Sequence, residues 1–107
     1  MADYAHPTHR PPLGASDVTA IFSMTPLRAE ILRHLSISGG GVTSGDIGRA
    51  LSVNYRTVGR HLALLEELGI VEANATEQRQ GVHVRYRLNT ENMKSAERAL
   101  AKYLHGK

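Results

Sequence analysis

Two segments near the middle of the chain carry apolar residues at three- and four-residue spacings. In the first, Ile47 and Leu51 make a short one-faced stripe; in the second, Val58, Leu62 and Leu65 recur at positions i, i+4 and i+7. Such spacing puts the apolar side chains on one face of an α-helix. The pattern therefore predicts a short helix followed by a longer one, each with a single buried face.

Residues with capping chemistry mark where these two helices begin. Thr43 with Asp46 three residues later resembles a capping box for the first helix, and Asn54 is a favourable N-cap for the second. Gly69 ends the second helix, because glycine readily adopts the left-handed conformation found at helix C-termini. A short helix, a turn of about three or four residues and a longer helix over residues 54–69 form a helix-turn-helix layout.

The N-terminal part of the chain predicts a tail followed by two more helices. Residues 1–15 hold three of the four prolines and little that could pack, so we predict a flexible tail. A short helix over residues 16–24 begins at Ser16, and the next helix begins after Thr25, with Pro26 at its first position. The apolar residues of the short helix are Val18, Ile21 and Phe22.

The apolar spacing changes to two after Gly69. Val71, Ala73 and Ala75 alternate with polar residues, and residues 77–81 form a turn segment. Alternation of this kind predicts a β-hairpin with an apolar underside and a basic upper side. The returning strand carries Val82, Val84, Tyr86 and Leu88 on one face and His83, Arg85 and Arg87 on the other.

A last amphipathic helix is predicted over residues 90–105. A single small domain leaves little core for its apolar stripe, so we expect this helix and the one over 16–24 to form a dimer interface. Packing of the last helix on its own domain, in a monomer, is the alternative. The residues expected at the interface are Val18, Ile21, Phe22, Met93, Ala96, Leu100 and Tyr103.

The expected fold is mainly α with a small β-hairpin: about five helices and a two- to three-stranded antiparallel sheet. The 107 residues suit one domain, over residues 16–107. We expect no membrane partner, because the chain has no apolar run of about 18 residues and its first residues lack the apolar core of a signal peptide. The absence of cysteine excludes disulfides and thiolate metal sites, and it fits the cytoplasm.

Basic residues are concentrated on particular elements, although the net charge is only +3. Between Gln78 and Thr90 there are three arginines and no acidic residue. On the helix over 54–69, Arg56 and Arg60 lie nearly opposite the apolar stripe, at about 100° of rotation per residue. Clustered cations on selected elements are typical of a surface that binds nucleic acid.

Arg56 and Arg60 are the strongest candidates for contact with bases or phosphates, since arginine suits both guanine edges and phosphate oxygens. Two solvated surface arginines are the alternative. Thr43 and Ser44 could hold a phosphate at a helix start, although capping would use them equally well. The full set of candidate DNA-binding residues is Thr43, Ser44, Asn54, Tyr55, Arg56, Thr57, Gly59, Arg60, Arg79, Gln80, His83 and Arg85.

Four sequence motifs resemble the winged helix-turn-helix of the ArsR-like bacterial transcriptional regulators. These motifs are LRAEIL at 27–32, TVGRHL at 57–62, LEELGIV at 65–71 and VRYRL at 84–88. The resemblance implies that the helix over 54–69 enters the major groove and that the wing, residues 76–88, reaches the adjacent backbone or minor groove. It also implies dimerisation through the terminal helices. Gly59 departs from the small hydroxyl residue often found there, which removes one possible polar contact.

No metal site or cofactor is expected. The segment over 42–51, where many ArsR-like proteins carry metal-binding cysteines, has none. Glu97 and His105 lie about 80° apart around a helix, which makes them a poor pair of ligands. His6 and His9 lie in the predicted tail without a third ligand. Whether a small organic effector exists stays open.

The expected function is that of a dimeric repressor that blocks a promoter by binding a palindromic operator in double-stranded DNA. An enzyme is not expected, because no nucleophile–base–acid set, metal cluster or phosphate loop emerges from the residues. Two alternatives stay open: a winged helix used for protein–protein contact, and a plasmid or phage replication or partition protein that binds DNA similarly.

Overall fold

The computed structural model describes residues 4–5, 20, 22–74 and 84–107 of the chain. Within these residues, the fold combines four helices with a three-stranded antiparallel sheet of strand order β1-β2-β3. The elements are β1 (Tyr4–Ala5), α1 (Pro26–Ser38), α2 (Ser44–Leu51), α3 (Tyr55–Glu67), β2 (Val71–Asn74), β3 (Tyr86–Leu88) and α4 (Thr90–Leu104). The predicted fold, mainly α with a small antiparallel sheet, is confirmed.

Most of the predicted helix over residues 16–24 lies outside the described residues, including Val18 and Ile21. Ala20 within it is helical, whereas its last residues, 22–24, are not and lead into α1. Four helices are therefore described where about five were predicted.

Side-chain caps fix where the three central helices begin. The Thr25 hydroxyl accepts a hydrogen bond from the Arg28 N–H at 3.1 Å, with Pro26 at the first helical position of α1. Asn54 Oδ1 accepts from the Arg56 N–H at 2.8 Å at the start of α3. Each side chain satisfies a backbone donor that has no partner within the helix, and such a cap contributes about 1 kcal/mol. The predicted starts of α1 and α3 are confirmed.

The capping box of α2 is present in both directions. The Thr43 hydroxyl accepts from the Asp46 N–H, and the Asp46 carboxylate accepts from the Thr43 N–H, each at 3.0 Å. The backbone N–H of Thr43 holds the pKa of Asp46 below its ordinary value. Asp46 is therefore ionised at neutral pH, and its charge lies at the positive end of the α2 dipole.

The core consists of apolar side chains from α1, α2, α3 and the start of β2, together with one residue of α4. The stripe predicted on α3 is buried: Val58, Leu62 and Leu65 have no exposed surface. Full burial of such a side chain contributes about 1.5–3 kcal/mol. The other core residues are Ile31, Leu32, Leu35, Ile47, Ile70, Val71 and Ala96.

The sheet contains a strand that the sequence analysis did not anticipate. Tyr4 pairs with Asn74 and Ala5 with Ala73, so β1 lies along the outer edge of β2. An uncovered strand edge leaves backbone N–H and C=O groups without partners, and β1 supplies them. These two residues belong to the segment predicted as a flexible tail; the rest of that segment lies outside the described residues.

The upper side of the hairpin is less exposed than predicted at Glu72. Its exposed fraction is only 4%, although its position alternates with the apolar residues of β2. Glu72 accepts hydrogen bonds from Arg87 Nε at 2.8 Å and from Asn89 Nδ2 at 2.9 Å. Since Asn89 is the N-cap of α4, the start of that helix covers the carboxylate. The burial of Glu72 follows from its packing against the start of α4. The alternating strand pattern gives no indication of this packing.

The start of α4 is bonded to the turn that follows α3. Asn92 Nδ2 donates to the carbonyl of Gly69 at 2.8 Å, and the Asn89 N–H donates to the carbonyl of Ile70 at 2.8 Å. Gly69 adopts the left-handed conformation predicted for it, with φ of 79°. The C-terminal end of α4 is open, because Tyr103 and Leu104 are 60% and 70% exposed.

Candidate nucleic-acid interface

The exposed side of α3 carries the two arginines that the sequence analysis selected. Arg56 and Arg60 are both exposed. The Arg56 guanidinium lies 5.8 Å from the centre of the Tyr55 ring, within the range of a cation–π contact. Arg60 Nη2 donates to the Thr57 hydroxyl at 3.3 Å. Both cations are therefore supported by neighbours on the same helix and remain open to solvent.

A groove of about 540 Å³ separates the start of α2 from β3. Its walls combine hydroxyl, guanidinium and aromatic groups, and one end is formed by the start of α3. Arg85 Nη1 donates to the carbonyl of Gly41 at 2.8 Å, which fixes that guanidinium beside the groove. The residues that line the groove are Thr43, Ser44, Gly45, Asp46, Arg49, Tyr55, Val84, Arg85 and Tyr86.

Thr43 and Ser44 have different roles in the fold. Thr43 is 8% exposed and takes part in both bonds of the capping box, so its structural role is established. Ser44 is half-buried and lines the groove. The Asp46 carboxylate, which would repel an anion in the groove, is paired with the Arg49 guanidinium. This pairing reduces the negative charge at the start of α2.

His61 lies on the side of α3 that faces α1. Its Nδ1 accepts a hydrogen bond from Arg28 Nε at 3.3 Å, and the side chain is half-buried. Burial lowers the pKa of His61 below its ordinary value, and the charges of Arg28 and Arg60 lower it further. His61 is therefore neutral at pH 7 and packs against α1.

Arg28 is a structural residue that the sequence analysis missed. It is only 8% exposed, and its Nη1 donates to the carbonyls of Ala20 at 2.9 Å and Ser23 at 3.3 Å. A signal for it exists, because residue 28 precedes Ile31, Leu32 and Leu35 by three, four and seven positions. An arginine in register with an apolar stripe must satisfy its donors inside the fold.

The remaining predicted DNA-binding residues divide into two groups. Asn54 caps α3, Thr57 is half-buried, and Gly59 lies in the middle of the helix. Arg79, Gln80 and His83 lie outside the described residues. Of the four predicted wing residues, only Arg85 is therefore placed relative to α3.

The residues predicted for a dimer interface also divide. Ala96 is fully buried in the core of its own chain, and Phe22 and Met93 pack against that core. Ala96 is therefore not accessible to a second chain in this fold. Leu100 is half-buried and Tyr103 is exposed, so the open part of the stripe is its C-terminal end. Val18 and Ile21 lie outside the described residues.

The described part of the chain holds neither a membrane-spanning helix nor a cluster of metal-ligating side chains. Residues 22–74 and 84–107 contain no helix long and apolar enough to cross a bilayer. They also contain no group of three or more histidine, aspartate or glutamate side chains placed to share a metal ion.

The geometry is that of a winged helix-turn-helix, with α2 and α3 as the two-helix motif and β2 and β3 as the base of the wing. Residues 24–73 match the family model described as a helix-turn-helix domain. No curated protein matches the chain.

Solved structures have the same fold. The chain is similar to an ArsR-like transcriptional regulator from Rhodococcus sp. RHA1, with a TM-score of 0.65 and 22% identity over 85% of this chain and 82% of that one. It is also similar to MepR of S. aureus in a complex with DNA, with a TM-score of 0.56 and 22% identity over 85% and 73% of the two chains. For the antimony-specific repressor AntR, the TM-score is 0.54 at 21% identity over 92% and 90%. The predicted resemblance to ArsR-like winged helices is confirmed in the fold.

Proposed function

We propose that the chain is a transcriptional regulator that binds double-stranded DNA in the cytoplasm. In this proposal α3 enters the major groove, and the groove beside the start of α2 receives a phosphate of the backbone. The observation that carries the proposal is the exposed pair Arg56 and Arg60, on the side of a helix-turn-helix second helix that the core leaves free. A structure similar to this chain has been solved in a complex with DNA.

The charged groups support separate roles for the groove beside α2 and for α3. Arg85 is held beside the groove by the carbonyl of Gly41, and Ser44 lies on the opposite wall. Phosphate contacts set the register of a protein on DNA, whereas base edges carry the sequence information. We assign the first role to the groove and the second to α3 from Asn54 to Arg60. In the same proposal, the wing residues Arg79, Gln80 and His83 contact the backbone or minor groove, with Tyr55 and Thr57 at the phosphates beside the helix start.

We further propose that the regulator is a homodimer that represses its promoter from a palindromic operator. The exposed Tyr103 and Leu104 support a partner on the C-terminal end of α4. A twofold dimer would present its two α3 helices about 34–36 Å apart, to match half-sites one DNA turn apart.

The test is a selection of bound sequences from a random DNA duplex library. The wild-type chain is compared with the double variant Arg56→Ala/Arg60→Ala and with a control, Arg33→Ala/Arg98→Ala. The control removes the same charge from exposed positions on α1 and α4. We expect wild type and control to enrich the same twofold-related motif, and the double variant to lose it with a weakening of about 1–3 kcal/mol for each base contact removed.

Three other outcomes would redirect the proposal. If the double variant binds the selected motif as tightly as the wild type, α3 is not the reading helix. If the wild-type chain binds no DNA even at low salt, the winged helix acts in protein–protein contact instead. A selected motif that matches the repeated sites of a plasmid or phage origin would point to the replication or partition alternative.

A further inference from the structure

Gly59 occupies a position where glycine is unfavourable. It lies in the interior of α3, four residues after the first, in ordinary helical backbone. In an exposed helix interior, alanine favours the folded state about fivefold over glycine, because glycine loses more backbone freedom on folding. A glycine at that position therefore calls for a physical reason.

No such reason is found within the described part of the chain. A Cβ added to Gly59 would meet no atom within 4 Å. Other glycines differ: a Cβ on Gly48 would lie 2.7 Å from the carbonyl oxygen of Val53, and Gly40 has φ of 96° with the Arg87 Cβ at 2.6 Å. The fold therefore requires Gly40 and Gly48, whereas it leaves empty space at Gly59.

The empty space opens on the side of α3 that the proposed DNA complex uses. Gly59 lies one turn after Tyr55, about 40° from it around the helix, and Tyr55 lines the groove beside α2. His61, which contacts Arg28, is about 160° away on the side that packs against α1. Arg56 is about 60° away, so the space at Gly59 adjoins the cationic face.

We infer that Gly59 is the point of closest approach between α3 and the bases, and that it determines specificity by letting a base-pair edge of the major groove touch the helix backbone. This inference rests on the proposed DNA-binding function and deepens it. A methyl group at this position would hold the helix away from the base pair by about 1.5 Å, the length of one carbon–carbon bond. Hydrogen bonds from Arg56 and Arg60 to base edges tolerate only a few tenths of an ångström of such displacement.

The test is Gly59→Ala, measured for stability and for DNA affinity on the operator selected with the wild-type chain. We expect the Tm to rise by about 4–8 °C, since alanine suits the helix and meets no steric obstacle. Affinity for the operator should fall by about tenfold or more, whereas affinity for a random duplex at low salt should not change. A variant that is more stable and yet binds less tightly separates recognition from folding.

Ala29→Gly is the matched control. Ala29 is exposed in the interior of α1, so this change lowers the Tm by a comparable amount. Its affinity for the operator should equal that of the wild type. If Gly59→Ala binds the operator as tightly as the wild type, the inference is overturned and the regulator function stands. If the wild-type chain selects no operator at all, the proposed function fails first.

Discussion

Arg28 and His61 join two parts of the chain that are distant in sequence. Arg28 bonds to His61 on α3 and to the carbonyls of Ala20 and Ser23, in the segment that precedes α1. A buried guanidinium is costly unless its donors are satisfied, and here it is satisfied from both sides. The position of α3 is therefore tied through one side chain to the segment before α1.

The pKa of His61 leads to a pH prediction. Its pKa is lowered in the folded chain, so the unfolded chain binds the extra proton first as the pH falls. Neutral His61 therefore contributes to the free energy of unfolding. This contribution is complete above the unfolded pKa of about 6.5 and is lost progressively as the pH falls below it, towards the folded pKa. Other groups titrate too. The contribution of His61 is therefore obtained by comparing the pH dependence of the free energy of unfolding between the wild type and a variant that lacks this histidine.

His61→Asn keeps an acceptor near Arg28 and removes the titration. We expect the free energy of unfolding of the wild type to fall more than that of the variant between pH 7.5 and pH 5.5, as measured by urea unfolding. Ser36→Ala, at an exposed position on α1, is the comparison variant and should retain the wild-type slope, because it removes no titrating group. Equal slopes for wild type and His61→Asn would remove His61 from the pH dependence.

The joint between the hairpin and α4 depends on Glu72. Arg87 on β3 and Asn89 at the start of α4 share its carboxylate. We expect Glu72→Ala to lower the free energy of unfolding by about 1–3 kcal/mol, because Asn89 and Arg87 lose a common acceptor in a nearly buried position. Glu91→Ala, at an exposed position in the first turn of α4, should cost much less. Denaturant titration measures both, and similar losses for the two variants would contradict this role for Glu72.

Helix boundaries were predictable because local chemistry sets them. Thr25, Thr43 and Asn54 each cap a backbone donor two or three residues ahead, so a short window of sequence contains the whole interaction. The strand β1 was not predictable, because its partner β2 lies almost 70 residues further along and two residues carry no periodicity. Burial of Glu72 was missed for a similar reason, since Asn89 covers it from another element.

The candidate interface also has one part that was predictable from local sequence and one part that was not. The exposed face of α3 follows directly from the apolar stripe on its other side, so Arg56 and Arg60 could be selected from spacing alone. The groove beside α2 could not be foreseen, because Arg85 is placed there by a bond to the Gly41 carbonyl, 44 residues away in the chain. Long-range contacts of this kind have no local sequence signal.

The proposed dimer can be tested at the C-terminal end of α4. We expect Tyr103→Glu/Leu104→Glu to dissociate the proposed dimer, because both side chains are largely exposed in the single chain and a charge there would be buried by a partner. Lys102→Glu, at an exposed position on the same helix turn, introduces a charge change of twice the size per site and should leave the assembly intact. Sedimentation equilibrium measures the result; a wild-type monomer at micromolar concentration would contradict the dimer proposal.

The hydrogen bonds from the first turn of α4 to Gly69 and Ile70 carry a thermodynamic consequence for such a dimer. The helix proposed to hold two chains together is bonded at its start to the turn that follows the helix proposed to read DNA. If association of the chains shifts α3 towards its DNA-bound position, then DNA must tighten the association by the same factor, since coupling free energies are reciprocal. Operator DNA would then act as an effector of assembly as well as its target.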